Sequence, residues 1–371
     1  MQLNPNIILL HNKDYMIHDK GTSKYYKIDK LVFDFLCNVK DGNEVQKDGQ
    51  YDELVTFLYS NGILYEDQDA GKKNSNDVPI KPKKNFQLTQ IDLIGIDLNN
   101  FLDKHNNITK FFCSEYLAVI YRISLTLSLI VTILCIGFLI MNWHEFVHVL
   151  SESMNLKQGV IAYFSLFIIT IFHEFGHIMQ CKKYAGYVGR CGIMLYFLFP
   201  VLYTDITITN SLIKKEKSIV IMAGVKNQLL VNGVLGIIVI LQNLFQGQWN
   251  DILIILFLLN TIMILSNLNP FFKYDGYWLL CTRIGVERLY SKAIGCVFNF
   301  RQYSDNSKNE KRLFVYGVSL ILFYILSWGI TISYIYFLLI ERIGPFYTMS
   351  IILALSLLIL YEIYSRYKEN K

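Results

Sequence analysis

Two hydrophobic patterns divide this chain. In the first 66 residues the apolar runs are short and separated by polar turns. Ile7-Ile8-Leu9-Leu10, Tyr15-Met16-Ile17 and Lys24-Tyr25-Tyr26-Lys27-Ile28 read as strands. Leu31, Phe35, Leu36 and Val39 repeat at helical spacing, and a second helix over Asp52 to Ser60 is stopped by Asn61-Gly62 before a closing strand, Ile63-Leu64-Tyr65. Residues 1–66 are therefore expected to form a small α/β domain. Residues 67–85, rich in Asp, Lys, Asn and Pro, have no face to bury and read as a linker. Leu98, Phe101, Leu102, His105 and Phe112 share a helical face suited to lying on a membrane surface, which extends the linker and interfacial region over 67–112.

Beyond residue 113 the apolar runs lengthen. Segments near 117–141, 159–181, 219–245, 252–272, 313–340 and 347–364 are each long enough for a bilayer, which needs about 20 residues. Loops with Lys182, Lys183 and Arg190, with Lys214, Lys215 and Lys217, and from Arg283 to Arg312 are basic. The alternate loops hold only Lys157 and Arg342. Positive charge collects on the cytoplasmic side, so six spans with both termini cytoplasmic are expected. Gly192 to Tyr203 is apolar but short and carries Pro200; it reads as a re-entrant or sheet-like element covered by protein. The expected fold is mainly α: a polytopic membrane helix bundle of about six spans, residues 113–371, behind a small N-terminal α/β domain.

Composition agrees. The 371 residues are 53% hydrophobic and only 18% charged, below the roughly 25% charged of soluble domains. Seven cysteines at irregular spacing, with no CxxC pair, read as free thiols rather than a disulfide framework. Met1 to Asn12 lack the basic and apolar regions of a signal peptide, in keeping with a cytoplasmic N-terminus. The modest net charge of +5 does not call for a nucleic-acid partner.

The chemistry lies in a pentapeptide that occurs twice. HExxH appears as His144-Glu145-Phe146-Val147-His148 and as His173-Glu174-Phe175-Gly176-His177. On a helix, histidines at i and i+4 face one way and can share a Zn²⁺, with the glutamate as base for its water. The first copy falls in a polar stretch past the outer end of the first span, where His and Glu cost little. The second follows an unbroken apolar run in the second span, where ionisable groups are expensive and default to function. A catalytic zinc takes a third protein ligand. Asp275, after Asn269-Pro270 at the end of the fourth span, is expected on the same membrane face as His173 and His177, and about 30 Å from the outer copy.

The segments HEFGH, Cys181 to Gly186, Pro200 to Asp205, Ala223-Gly224 and Asn267-Leu268-Asn269-Pro270 leading to Asp275-Gly276-Tyr277 resemble the site-2 protease family of intramembrane zinc metallopeptidases, in its bacterial peptide zinc metalloprotease branch. The resemblance covers about residues 115–300. It implies a bacterial cell membrane location, His173, His177 and Asp275 as zinc ligands, Glu174 as general base, and Asn269 and Pro270 as the substrate-binding break in the fourth span. The order of elements in residues 1–66 resembles the PqqD-like winged-helix modules that bind leader peptides; a generic regulatory winged domain is the alternative.

Two further residues carry open readings. Lys226, in Ala223-Gly224-Val225-Lys226-Asn227-Gln228, either snorkels to the interface or aids a charged intermediate. Asp205 either backs a ligand histidine or closes the re-entrant element. The resulting functional expectation is cleavage of a small ribosomally made peptide or its leader during maturation or export, alongside a modifying enzyme and an ABC exporter. The alternative is a non-proteolytic peptide-binding, export-coupling or immunity protein. A metal-ion transporter is disfavoured, because the intramembrane acids cluster on one face rather than string across spans.

Overall fold

The computed structural model describes residues 2–4, 6–11, 15–19, 24–42, 52–65, 90–112, 114–152, 156–196, 199–247, 249–298 and 308–369. The expected linker 67–85 lies outside them. The chain divides into two units, Met1–Leu279 and Leu280–Lys371.

The first unit begins with β1 (Gln2–Leu3), β2 (Ile7–His11), β3 (Tyr15–Asp19) and β4 (Lys24–Ile28), then α1 (Lys30–Lys40), α2 (Asp52–Ser60) and β5 (Leu64–Tyr65). β2, β3 and β4 form an antiparallel sheet in that order, and β1 pairs with β5. β2 to β5 and the two helices fall where the apolar pattern predicts them; the two-residue β1 was not expected. The run Ile7 to Leu10 does not alternate, and the packing explains it. Ile7 and Leu9 face the local core of Ile17, Phe35, Leu36 and Leu58. Ile8 and Leu10 pack on a second core that includes Leu102, Ile178, Tyr187, Val188 and Val220. A strand buried on both faces is apolar throughout.

The single surface helix expected over 98–112 is instead two short helices, α3 (Asn99–Lys104) and α4 (Asn106–Phe112), broken at His105. Leu102 turns inward to 4% exposure while Phe101 and Phe111 stay exposed, so the segment cannot keep one face on one plane. Before them runs β6 (Gln90–Ile96), which pairs with the hairpin β7 (Cys191–Tyr196) and β8 (Phe199–Thr204). The Pro200 segment is thus the edge strand of a three-stranded sheet, the sheet-like alternative to a re-entrant loop. Pro200 is tolerated because an edge strand leaves some N–H groups unpaired.

Four apolar helical segments build the body: α5 (Glu115–Met141), α7 (Leu156–Ala185), the pair α8 (Lys214–Ile221) and α9 (Ala223–Gln246), and α10 (Asp251–Leu268). All are long and apolar enough to cross a membrane. Ser114 caps α5 by accepting from the Leu117 N–H, and Gly186, at φ +73°, closes α7 with its N–H on the Lys182 carbonyl. α6 (Trp143–Glu152) lies between α5 and α7. α9 is central, packing on α5, α7 and α10. The fourth span ends at Leu268, short of the expected 272, because Asn269 precedes a proline and adopts extended backbone (φ −68°, ψ 121°). Asp275 then opens a new helix, α11 (Asp275–Ile284).

In the second unit, α12 (Leu289–Phe298) packs against α13 (Lys308–Glu369). Glu310–Phe337 is a fifth helix of spanning length. α13 is interrupted at Gly344 (φ 80°, ψ 163°), beside Pro345. The sixth expected segment, 347–364, starts just after this break; the apolar stretch described there, Gly344–Ala354, is shorter than a crossing.

Candidate metal centre

His173 and His177 sit one turn apart on α7, both buried. Their Nε2 atoms are 3.1 Å apart, and each lies 3.4 Å from Asp275 Oδ2. Among the described residues this is the group of His, Cys, Asp and Glu side chains close enough to hold a metal ion. A tetrahedral zinc at about 2.0–2.1 Å from its ligands separates them by about 3.3–3.4 Å, so the triangle has the right edge lengths. The chemistry of the atoms agrees. Asp275 Oδ2 is buried and accepts no hydrogen bond from the described residues, an arrangement that costs free energy unless a cation meets it.

Several elements converge to make this triangle. α7 supplies the histidines. Asn269 and Pro270 end α10, and the Asn269 Oδ1 accepts from the Phe271 N–H at 2.8 Å, holding the turn. Gly276 lets α11 start against α10, since a Cβ there would strike the Leu268 carbonyl. Together these return the chain so that Asp275 reaches the histidines. α9 forms the floor. A Cβ on Gly224 would lie 2.5 Å from His173 Cε1 and Nε2 and from His177 Nε2, so only glycine leaves room for both rings.

The far side of each ring is also held. His177 Nδ1 is 2.9 Å from the Val220 carbonyl, and His173 Nδ1 is 3.1 Å from Gln228 Oε1. Both partners are acceptors, so Nδ1 carries the proton and the Nε2 lone pairs point at the centre. Glu174 is partly buried beside them, against Thr204 of β8 and within the field of His177 and Asp275.

The remaining predicted residues lie elsewhere. Asp205 acts locally. Its Oδ1 accepts from Thr207 N–H at 2.9 Å, and its backbone pairs with Gly189 and Arg190. Lys226 is two residues from Gly224 on α9, about 200° around the helix, and so faces away from the histidines. The outer motif lies on α6. Glu145 Oε2 accepts from Trp249 Nε1 at 2.6 Å, and Phe146 packs with Cys135, Leu139 and Phe257. Trp249 stands at the start of α10 and Asn267 near its end, so the two motifs are separated by about 27 Å of helix rise. Gly224 and Asn267 fall in segments that carry the resemblance but had no role assigned there, and Gln228 and the Val220 carbonyl were not expected at the site. The available signal was Gly224 and Gln228 at i and i+4 in an apolar span.

The chain is similar to a protein of Bacillus subtilis (strain 168) named "Putative peptide zinc metalloprotease protein YydH". The two are 25% identical over 234 residues, which cover 61% of this chain and 84% of that protein. This supports a metalloprotease. No family model matches the chain, and no solved structure matches it.

Proposed function

We propose that this chain is an intramembrane zinc endopeptidase of the site-2 type. The observation that carries the reading is the convergence of His173 Nε2, His177 Nε2 and Asp275 Oδ2 at 3.1 and 3.4 Å over Gly224. His173, His177 and Asp275 would hold the ion, which when bound lowers the pKa of its water toward neutrality. Glu174 takes a proton from the attacking water and hands it to the leaving amine as the peptide C–N bond breaks. The buried setting limits competing water, and the Nδ1 contacts keep both rings in the ligating tautomer.

The substrate backbone must be extended, because helical carbonyls are already committed. β8 is an edge strand that packs against α7 beside Glu174, and the chain leaves helical geometry for extended backbone at Asn269, before Pro270. Both favour pairing with an extended peptide by strand addition. The basic residues Lys182, Lys183, Lys214, Lys215 and Lys217 lie at the helix ends nearer the site, which favours a cytoplasmic-facing centre. The N-terminal domain is proposed to recruit a ribosomally made peptide through its leader, upstream of an exporter. Mass spectrometry of a candidate ribosomally made peptide carrying its leader, after incubation with wild-type and Glu174→Gln protein, tests the proposal. Cleavage by wild type alone supports it. Binding without cleavage by either supports the non-proteolytic alternative.

A further inference from the structure

We infer that Gln228 is a positioning residue that sets the orientation and donor strength of His173. The inference rests on the metal-centre reading above. Gln228 is completely buried (0% exposed), one helical turn along α9 from Gly224. Its Oε1 receives two groups: His173 Nδ1 at 3.1 Å and Asn267 Nδ2 at 3.0 Å. Among the described residues its Nε2 finds no hydrogen-bond partner. A glutamine kept only to tie helices together would use both ends, because an idle buried N–H₂ costs stability that leucine would avoid. Here the carbonyl is fully used and the amine is idle, so the side chain serves as an acceptor presented to His173.

The orientation of that acceptor is set from α10. The Asn267 amine faces Oε1, which fixes which end of the Gln228 amide meets the imidazole. Were the amide reversed, an N–H would face Nδ1 and drive the ring proton onto Nε2, where it would block ligation. Below this point the network continues. Asn260 Nδ2 donates to the backbone carbonyl of Gln228 at 3.1 Å and to Asn232 Oδ1 at 3.1 Å, and Asn232 Nδ2 donates to Thr261 Oγ1 at 3.0 Å. Asn232 and Asn260 are likewise 0% exposed. Three buried amides thus lock α9 against α10, and with it the distance between His173 on α7 and the segment leading to Asp275.

The experiment loads purified full-length protein with Co²⁺ and measures its dissociation constant by chelator competition, together with its visible d–d absorption. Gln228→Leu is expected to weaken cobalt binding about 10–100-fold and to change the absorption band, the usual loss for an outer partner of a ligand histidine. Gln228→Glu keeps an acceptor oxygen facing His173 Nδ1 and replaces the idle amine with a second, anionic oxygen; a carboxylate there raises the basicity of the ring, so cobalt should bind at least as tightly as in wild type. Asn267→Leu, which leaves Gln228 in place but unpinned, should weaken binding less than Gln228→Leu, and it serves if the latter does not fold. Wild-type affinity and spectrum in Gln228→Leu would overturn the inference, as would equal loss in Gln228→Glu. A wild-type protein that binds no cobalt would instead overturn the metal-centre reading itself.

Discussion

Gly224→Ala adds one carbon and should remove the metal. Elsewhere in a helix this change is favourable by about 0.5–1 kcal/mol, because alanine loses less backbone entropy. At Gly224 the new Cβ would sit 2.5 Å from three imidazole atoms, where ordinary contact begins near 3.4 Å. The rings must therefore retreat by about 0.9 Å, or the α7–α9 crossing must open. Ligand distances in a metal site tolerate only about 0.2 Å, and overpacking of this kind costs about 1–3 kcal/mol. The crossing cannot open freely, because Gly176 already lies where a Cβ would be 2.6 Å from the Ala223 carbonyl. Metal affinity should accordingly fall by more than about 100-fold while the protein stays folded. The assay is metal content by mass spectrometry after dialysis, with a melting curve in detergent. Gly159→Ala is the control: it lies in the same helix as the histidines with nothing within 4 Å of its Cβ, and it should keep its metal. Full metal content in Gly224→Ala would refute the placement of Gly224 beneath the two rings.

Other outcomes follow from the same geometry. Glu174→Gln should retain metal and lose cleavage by at least about 10²-fold, the scale of general-base catalysis, measured as peptide turnover. Glu145→Gln should leave metal and turnover unchanged and lower stability by no more than about 1 kcal/mol in a melting experiment, since only its bond to Trp249 weakens. Asp275→Ala should abolish metal retention without unfolding the chain, as read by metal content and gel filtration. Burial pushes the Cys191 thiol up to about 11, so its thiolate fraction is negligible at pH 7.5 and rises only as pH approaches that value. Maleimide should label it far more slowly in the folded protein than after denaturation.

Much of the architecture was legible because long apolar helices and short N-terminal strands leave distinct patterns in the sequence. The unbroken Ile7 to Leu10 run is explained by a strand that packs on both faces. Failures have physical causes. β6 follows a polar linker, and its alternation is broken by a register shift between Asp92 and Ile94, so no clean period-2 signal survives. The fragment 98–112 has a helical pattern, but Leu102 and the exposed phenylalanines want opposite environments, and the helix breaks at His105. In the site, His173, Glu174 and His177 were visible from spacing, and Asp275 from its place after Asn269-Pro270. Gln228 was not. Lys226, Asn227 and Gln228 are consecutive polar residues in one span, and only the helix phase relative to Gly224 separates them. Lys226 turns away, Asn227 bonds Tyr121 and the Phe172 carbonyl, and Gln228 meets His173. The two copies of HExxH differ in placement: His173 and His177 lie beside Asp275, whereas Glu145 meets Trp249 near the other end of α10.

The most direct test of the central claim is the zinc content of two double variants beside wild type. Wild-type protein and His144→Ala/His148→Ala should each hold one zinc per chain, and His173→Ala/His177→Ala should hold none. Zinc retained by the His173/His177 variant, or lost from the His144/His148 variant, would contradict the account.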